Sequence, residues 1–136
     1  MWAHFNHAAD IGVVGSGRTR EAAFEEAAMA LTAVITDPEL VNCAESVTVD
    51  CEAPDSELLF VDWLNALVFE MATRKMLFSR FHVAFDGTHL HATACGEPVD
   101  VARHEPAAEV KGATYTELEV HEDGPIKWRV QCVVDV

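Results

Sequence analysis

Basic residues are scarce in this sequence: nine Lys and Arg stand against 23 Asp and Glu, a formal charge of −14 over 136 residues. So acidic a surface repels a phosphate backbone and gains nothing from counterion release, which disfavours direct binding to RNA or DNA. Cations and basic protein surfaces are its natural partners. No apolar run approaches the roughly 20 residues that span a bilayer. The opening Met1-Trp2-Ala3-His4 lacks the basic and apolar regions of a secretory signal. A cytoplasmic protein with no membrane partner is therefore expected. Cys43, Cys51, Cys95 and Cys132 form no C-x-x-C pair and no zinc-ribbon spacing, so buried thiols are expected and disulfides are the minority reading. The chain also lacks a phosphate loop, an H-E-x-x-H motif and an evident activated Ser or Cys. Repeats, low-complexity stretches and domain linkers are missing too.

What is present is a hydrophobic half, enough for one domain over 1–136; a chain of this size buries roughly 68% of its unfolded surface. His4 to Gly15 reads as two short strands broken near Ala8-Ala9. Thr19 suits an N-cap, with Glu21 in the first turn of a helix whose Phe24, Ala27, Ala28, Leu31 and Ile35 recur at helical spacing. Asp37-Pro38 stops it. Glu45 to Cys51 alternates as a half-buried strand. Asp55 then caps a longer helix with a broad stripe of Leu59, Trp63, Leu67 and Met71, flanked by Phe60, Leu64 and Val68, which marks it as the centre of the core. Met76 to Phe85 and His89 to Gly96 flank Asp86-Gly87; Thr114 to His121 and Ile126 to Val134 flank Asp123-Gly124. Both dipeptides are hairpin signals. The expected class is α+β: two helices packed on one face of a largely antiparallel sheet.

Acidic groups stand at both ends of the chain in rigid-looking settings. Near the start lies His7-Ala8-Ala9-Asp10-Ile11-Gly12, and the chain closes on Cys132-Val133-Val134-Asp135-Val136. If the strand carrying Asp10 lies beside the last one, the two side-chain carboxylates and the α-carboxylate share a small volume, which calls for a cation, a proton or a basic partner. A turn-capping role is the plainer reading of Asp10. In His4-x-x-His7-x-x-Asp10 the three side chains would share a helix face, but the flanking pattern is strand and turn, so a structural hydrogen bond suits His7 better than zinc ligation. His89-x-His91 puts two imidazoles on one strand face, able to bind metal weakly or simply to face solvent. Gly96-Glu97-Pro98, Asp100 and His104 lie in an irregular stretch from Glu97 to Glu109, with Lys111 and Thr114-Tyr115 just beyond. Carboxylate, lysine and histidine would suffice for acid–base chemistry, yet no nucleophile accompanies them, and the set reads as a ligand or partner surface.

These residues resemble the archease family. The matching pieces are His7-Ala8-Ala9-Asp10-Ile11-Gly12 (the family usually has Thr at the second place), Gly96-Glu97-Pro98 with His104-Glu105-Pro106, Glu109-Val110-Lys111 with Thr114-Tyr115, and Asp135-Val136. The resemblance covers essentially the whole chain. It implies a metal-binding accessory protein, not an enzyme, that promotes guanylation and multiple turnover of an RtcB-type RNA ligase in tRNA splicing or RNA repair. Carried over by motif, the metal ligands would be Asp10, Asp135 and a main-chain or carboxylate oxygen of Val136. Lys111 would serve activation, with His7, His104, Glu97 and Tyr115 on the partner surface. An all-oxygen set suits Ca²⁺ first, with Mg²⁺ or Mn²⁺ as alternatives, and not zinc. RNA would be met only through the ligase. A stand-alone metal-dependent phosphoester hydrolase or transferase with His104 as base, and a general chaperone, are the alternatives.

Overall fold

The computed structural model describes all of residues 1–136. In chain order the elements are β1 (Trp2–His7), β2 (Asp10–Gly17), α1 (Arg20–Ile35), a 3-10 turn (Pro38–Leu40), β3 (Glu45–Glu52), α2 (Ser56–Arg74), β4 (Met76–Asp86), β5 (His89–Pro98), the short helix α3 (Val101–His104), β6 (Gly112–Ala113), β7 (Glu119–Glu122) and β8 (Trp128–Asp135). Both long helices start at side-chain caps: Thr19 accepts from the Ala22 N–H and Asp55 from the Leu58 N–H. Helix α2 ends where Lys75 turns left-handed (φ 55°) and its N–H caps the Met71 carbonyl, which lets the chain reverse into β4.

The strands form two antiparallel sheets, where one was expected. The first has the order β1-β2-β8-β6, with β7 also on β8; the second is β3-β5-β4. Strand β8 is taken up by β2 on one side and by β6 and β7 on the other, while β5 is taken up by β3 and β4. Neither central strand has an edge left for the other sheet. Alternation in a sequence shows which face is apolar, not which strand will be the neighbour.

One core joins the layers. Val13, Val130, Cys132 and Val134 from the first sheet meet Val47, Val49, Leu90 and Ala94 from the second through Phe24, Leu31, Phe60, Trp63 and Leu67 of the helices. Helix α1 packs its small residues (Ala23, Ala27, Ala28 and Ala30, all fully buried) so that its backbone lies close to the sheets. Phe24 stacks edge-on against Phe60 and Phe85, and its carbonyl accepts from the Trp63 indole N–H at 3.1 Å, so the largest buried side chain has its polar atom satisfied. The helices lie against the inner faces of both sheets; on the outer face of the first, Val14, Gln131 and Val133 are nonetheless buried.

Three local expectations change. Cys43 and Cys95 form a disulfide, with Cα atoms 5.0 Å apart, instead of remaining thiols; Cys51 and Cys132 stay free. Cys43 reaches Cys95 because the chain entering β3 runs beside β5, where the Ala44 N–H donates to the Gly96 carbonyl at 3.0 Å and Ser46 lies opposite Cys95. Thr114 to Leu118 is turn rather than strand: the Thr114 hydroxyl accepts from the Thr116 N–H, and Glu117 adopts φ 56°. The stretch from Glu97 to Glu109 contains the helix α3, not irregular chain alone.

Candidate functional site

The β2–β8 register runs from Gly17 opposite Trp128 to Ile11 opposite Val134. Carried one residue further, it sets Asp10 opposite Asp135. The contact is closed by the Val136 N–H, which donates to the Asp10 carboxylate at 3.3 Å across 126 residues of sequence. Ile11 and Val134 both pack on the core. By the alternation of a pleated strand, Asp10 and Asp135 therefore lie on the other face, away from the helices. Gly12, next but one to Asp10 on that outer face, is covered by the Phe5 ring, which a Cβ would strike. Here glycine is required by close approach.

The neighbouring strands end at the same edge. His7 closes the β1–β2 hairpin opposite Asp10, across a turn in which Ala8 sits at φ 52°. On the other side of β8, Gly112 pairs with Asp135, and the Lys111 N–H donates to the Asp135 carbonyl at 2.8 Å. Asn65 on α2 holds this short strand in place by accepting from the Ala113 N–H at 2.8 Å. The Thr114 hydroxyl and N–H both donate to the Val133 carbonyl, at 2.8 and 3.0 Å. Lys111 and Tyr115 are exposed on either side of this clamp. Asn65 was overlooked in the sequence, although a lone amide between Leu64 and Ala66 in an apolar stripe was a usable signal.

Chemically, the edge offers the carboxylates of Asp10 and Asp135 and the main-chain oxygen of Val136. Neither aspartate forms an ion pair with a protein cation. The donor set is all oxygen and fits a hard divalent ion. Sulfur does not compete, because burial pushes the Cys132 thiol up to about 12 and, with help from Asp62 and Asp50, the Cys51 thiol up to about 11.

Glu97 and His104 are placed differently from expectation. Both are buried, His104 almost completely, so neither side chain is presented on a partner surface. Asp100 N–H donates to His104 Nδ1 at 2.9 Å, which puts the ring proton on Nε2, 3.0 Å from the Glu97 carboxylate. The same carboxylate accepts from Asn42 N–H at 2.8 Å and pairs with Arg103 at 2.6 Å. Hydrogen bonding to Arg103 first, then to Asn42 and His104, holds the Glu97 carboxyl down at about 2. The Thr36 hydroxyl takes the His104 carbonyl, and the Ala107 N–H donates to Ile35 O at 2.8 Å. Gly96, where a Cβ would run into the Leu77 carbonyl, lets β5 approach β4 at the bulge after Phe78. The Gly-Glu-Pro and His-Glu-Pro motifs thus brace the loop against the end of α1. Arg103 is the member that sequence reasoning missed; in a loop rich in charges it carried no distinguishing mark.

The chain matches the family model described as Archease protein family (MTH1598/TM1083) over residues 2–136. It is 36% identical over 139 residues to the protein archease of Thermococcus gammatolerans, covering 99% of this chain and 98% of that one. It is 41% identical over 131 residues to the protein archease of Methanothermobacter thermautotrophicus, covering 93% of each. The solution structure of Methanobacterium thermoautotrophicum protein 1598 superposes with a TM-score of 0.87 at 34% identity, over 99% of this chain and 98% of that one. A Thermotoga maritima crystal structure described as an archease, possible chaperone, shares the fold with a TM-score of 0.62 at 21% identity, over 97% and 94%.

Proposed function

Because this chain belongs to the archease family, we propose that it is a metal-binding accessory protein that activates an RtcB-type RNA ligase, the role that its sequence resemblance implies. One observation carries the reading. Strands from opposite ends of the chain lie side by side, so that Asp10, Asp135 and Val136 converge at an outer edge, with Lys111 on the next strand. Asp10, Asp135 and the main-chain oxygen of Val136 would hold a calcium, magnesium or manganese ion. Bound there, the ion supplies positive charge beside which nucleotide phosphates can be neutralised. The exposed Lys111 and Tyr115 would meet the ligase or its nucleotide. The acidic surface is drawn to a cationic ligase mouth and repelled by free RNA, so RNA is met through the ligase.

A stand-alone hydrolase using His104 as base has little to work with, since both ring nitrogens are occupied and the ring is buried. The test is guanylation of a ligase from the same cell, with and without this protein, and then with Asp10→Ala, Asp135→Ala and Lys111→Ala. Stimulation should be lost in all three. Full stimulation by both aspartate variants would remove the metal from the mechanism, and stimulation of unrelated clients would favour a general chaperone.

A further inference from the structure

The second sheet presents a separate set of metal-competent side chains on its outer face. In the β3–β5 register Asp50 lies opposite His91 and Glu52 opposite His89. Residues two apart on one strand share a face, so these four form a two-by-two array on adjacent strands. Asp50 hydrogen-bonds His91 Nδ1 and lies 3.8 Å from His89 Nε2, while Glu52 stands 3.5 Å from His89 Nδ1. The two imidazoles are stacked, with centroids 4.1 Å apart and planes 12° from parallel. One ligand atom each from Asp50, His89 and His91 can be chosen with all three within 4.8 Å of one another. Around an ion with bonds of about 2.0–2.1 Å in tetrahedral geometry, ligand atoms are about 3.3 Å apart, so side-chain rotations that open the imidazole stack would bring these half-exposed groups to ligation distance. The backbone is already fixed, because β3 and β5 pair over eight rungs and the Cys43–Cys95 disulfide ties the far end.

We propose that Asp50, His89 and His91 form a second metal site, selective for a borderline divalent transition ion, zinc in the first place, with Glu52 as the partner of the His89 nitrogen that faces away from the ion. Two imidazoles with one or two carboxylates are the donors such an ion prefers, whereas calcium and magnesium avoid ring nitrogen. The site is independent of the oxygen edge at Asp10 and Asp135, which belongs to the other sheet. The molecule would thus sort metals by donor chemistry, hard ions to one sheet and borderline ions to the other. The neighbouring Cys51 packs on the core side of β3, away from this face.

The experiment is calorimetric titration of the full chain with ZnCl₂ in excess calcium, repeated with His89→Gln/His91→Gln, Asp50→Asn and Asp10→Asn/Asp135→Asn. Cobalt(II) absorption would report the ligand type. Wild type and the Asp10/Asp135 variant should bind one zinc alike, and cobalt should give tetrahedral bands without thiolate charge transfer. Loss of an outer partner of a metal ligand already costs about 10–100-fold in affinity, so removing both imidazoles should cost about 100-fold or more. Absence of saturable zinc binding, thiolate bands, or affinity unmoved by the double histidine change would each overturn the assignment. All four side chains are solvent-accessible, so folding of the variants is checked simply by unchanged melting in chelator.

Discussion

Replacing Asp135 by Asn should separate the ion from the fold, because the two effects on stability have opposite signs. Side chains directly opposite on an antiparallel pair lie about 4.5–5.5 Å apart at Cβ. Two carboxylates at about 5 Å in water repel by roughly 0.8 kcal/mol, less in salt. In chelator, Asp135→Asn should therefore leave stability unchanged or raise it by up to this amount. With a saturating ion the sign reverses. A site held at about 100 times its Kd adds about 2.7 kcal/mol to the wild type. At roughly 2.1 cal/mol/K of unfolding entropy per residue, the 136 residues convert this into a rise in Tm of about 9 °C. The variant should show almost none of that rise. The assay is differential scanning calorimetry at neutral pH, in chelator and across a calcium series, repeated with magnesium and manganese. An Asn variant that keeps the full ion-induced rise, or that melts well below wild type in chelator, would refute the reasoning. The first result puts the ion elsewhere; the second makes Asp135 a structural group.

Glu97 predicts an acid limb. Its folded value near 2 lies below the ordinary 4.5, so the unfolded chain binds the extra proton in between. Its contribution is complete above about 4.5 and is lost as pH falls towards 2; Glu97→Gln should flatten the pH dependence of urea unfolding in that window. Reducing or replacing the Cys43–Cys95 disulfide, which closes a loop of 52 residues, should cost about 2–4 kcal/mol, read as a lower urea midpoint in Cys43→Ser/Cys95→Ser. Ala8 occupies the left-handed region at φ 52°, so Ala8→Gly should stabilise by about 0.5–1 kcal/mol, the relief of strain less the added chain entropy. Thermal melts would show it, and a loss would mean that the Ala8 methyl makes contacts outweighing the strain.

Much of this architecture could be read in the residues because local chemistry and tertiary need agree. Thr19 and Asp55 cap the helices they appear to cap, and the broad stripe of α2 lies in the core. Gly124 supplies a left-handed turn residue, and the β4–β5 reversal falls on Gly87 and Thr88, one residue later than Asp86-Gly87 suggested. What was not legible depends on partners remote in sequence. Nothing in Val47 or Val130 says that their strands belong to different sheets. Nothing in Cys43 names Cys95. Glu97 and His104 read as surface groups because charged residues in loops usually are; Arg103 and Asp100 are near in sequence but meet them only once the α3 turn forms, and Asn42 arrives from 55 residues away. The Asp10–Asp135 edge was legible for the converse reason: each aspartate directly adjoins a β-branched strand, and such strands must find neighbours.

The topology also ties the proposed ion site to one strand. β8 lies between β2 and β6, and only its docking brings Asp135 and Val136 to Asp10. Any opening that frees β8 dismantles the oxygen site, whereas opening β4 from β5 leaves it whole. At an ion concentration of about 100 Kd, amide exchange that requires release of β8 should therefore slow by about 100-fold. Buried amides in the middle of β8, from Val130 to Val134, should follow that factor. Amides of β4 and β5 that exchange by local opening should not change, and only those that wait for global unfolding should slow equally. Hydrogen exchange followed by NMR, with and without calcium, distinguishes the cases. Slowing confined to the second sheet, with β8 unaffected, would mean that the ion is not held between the first and last strands.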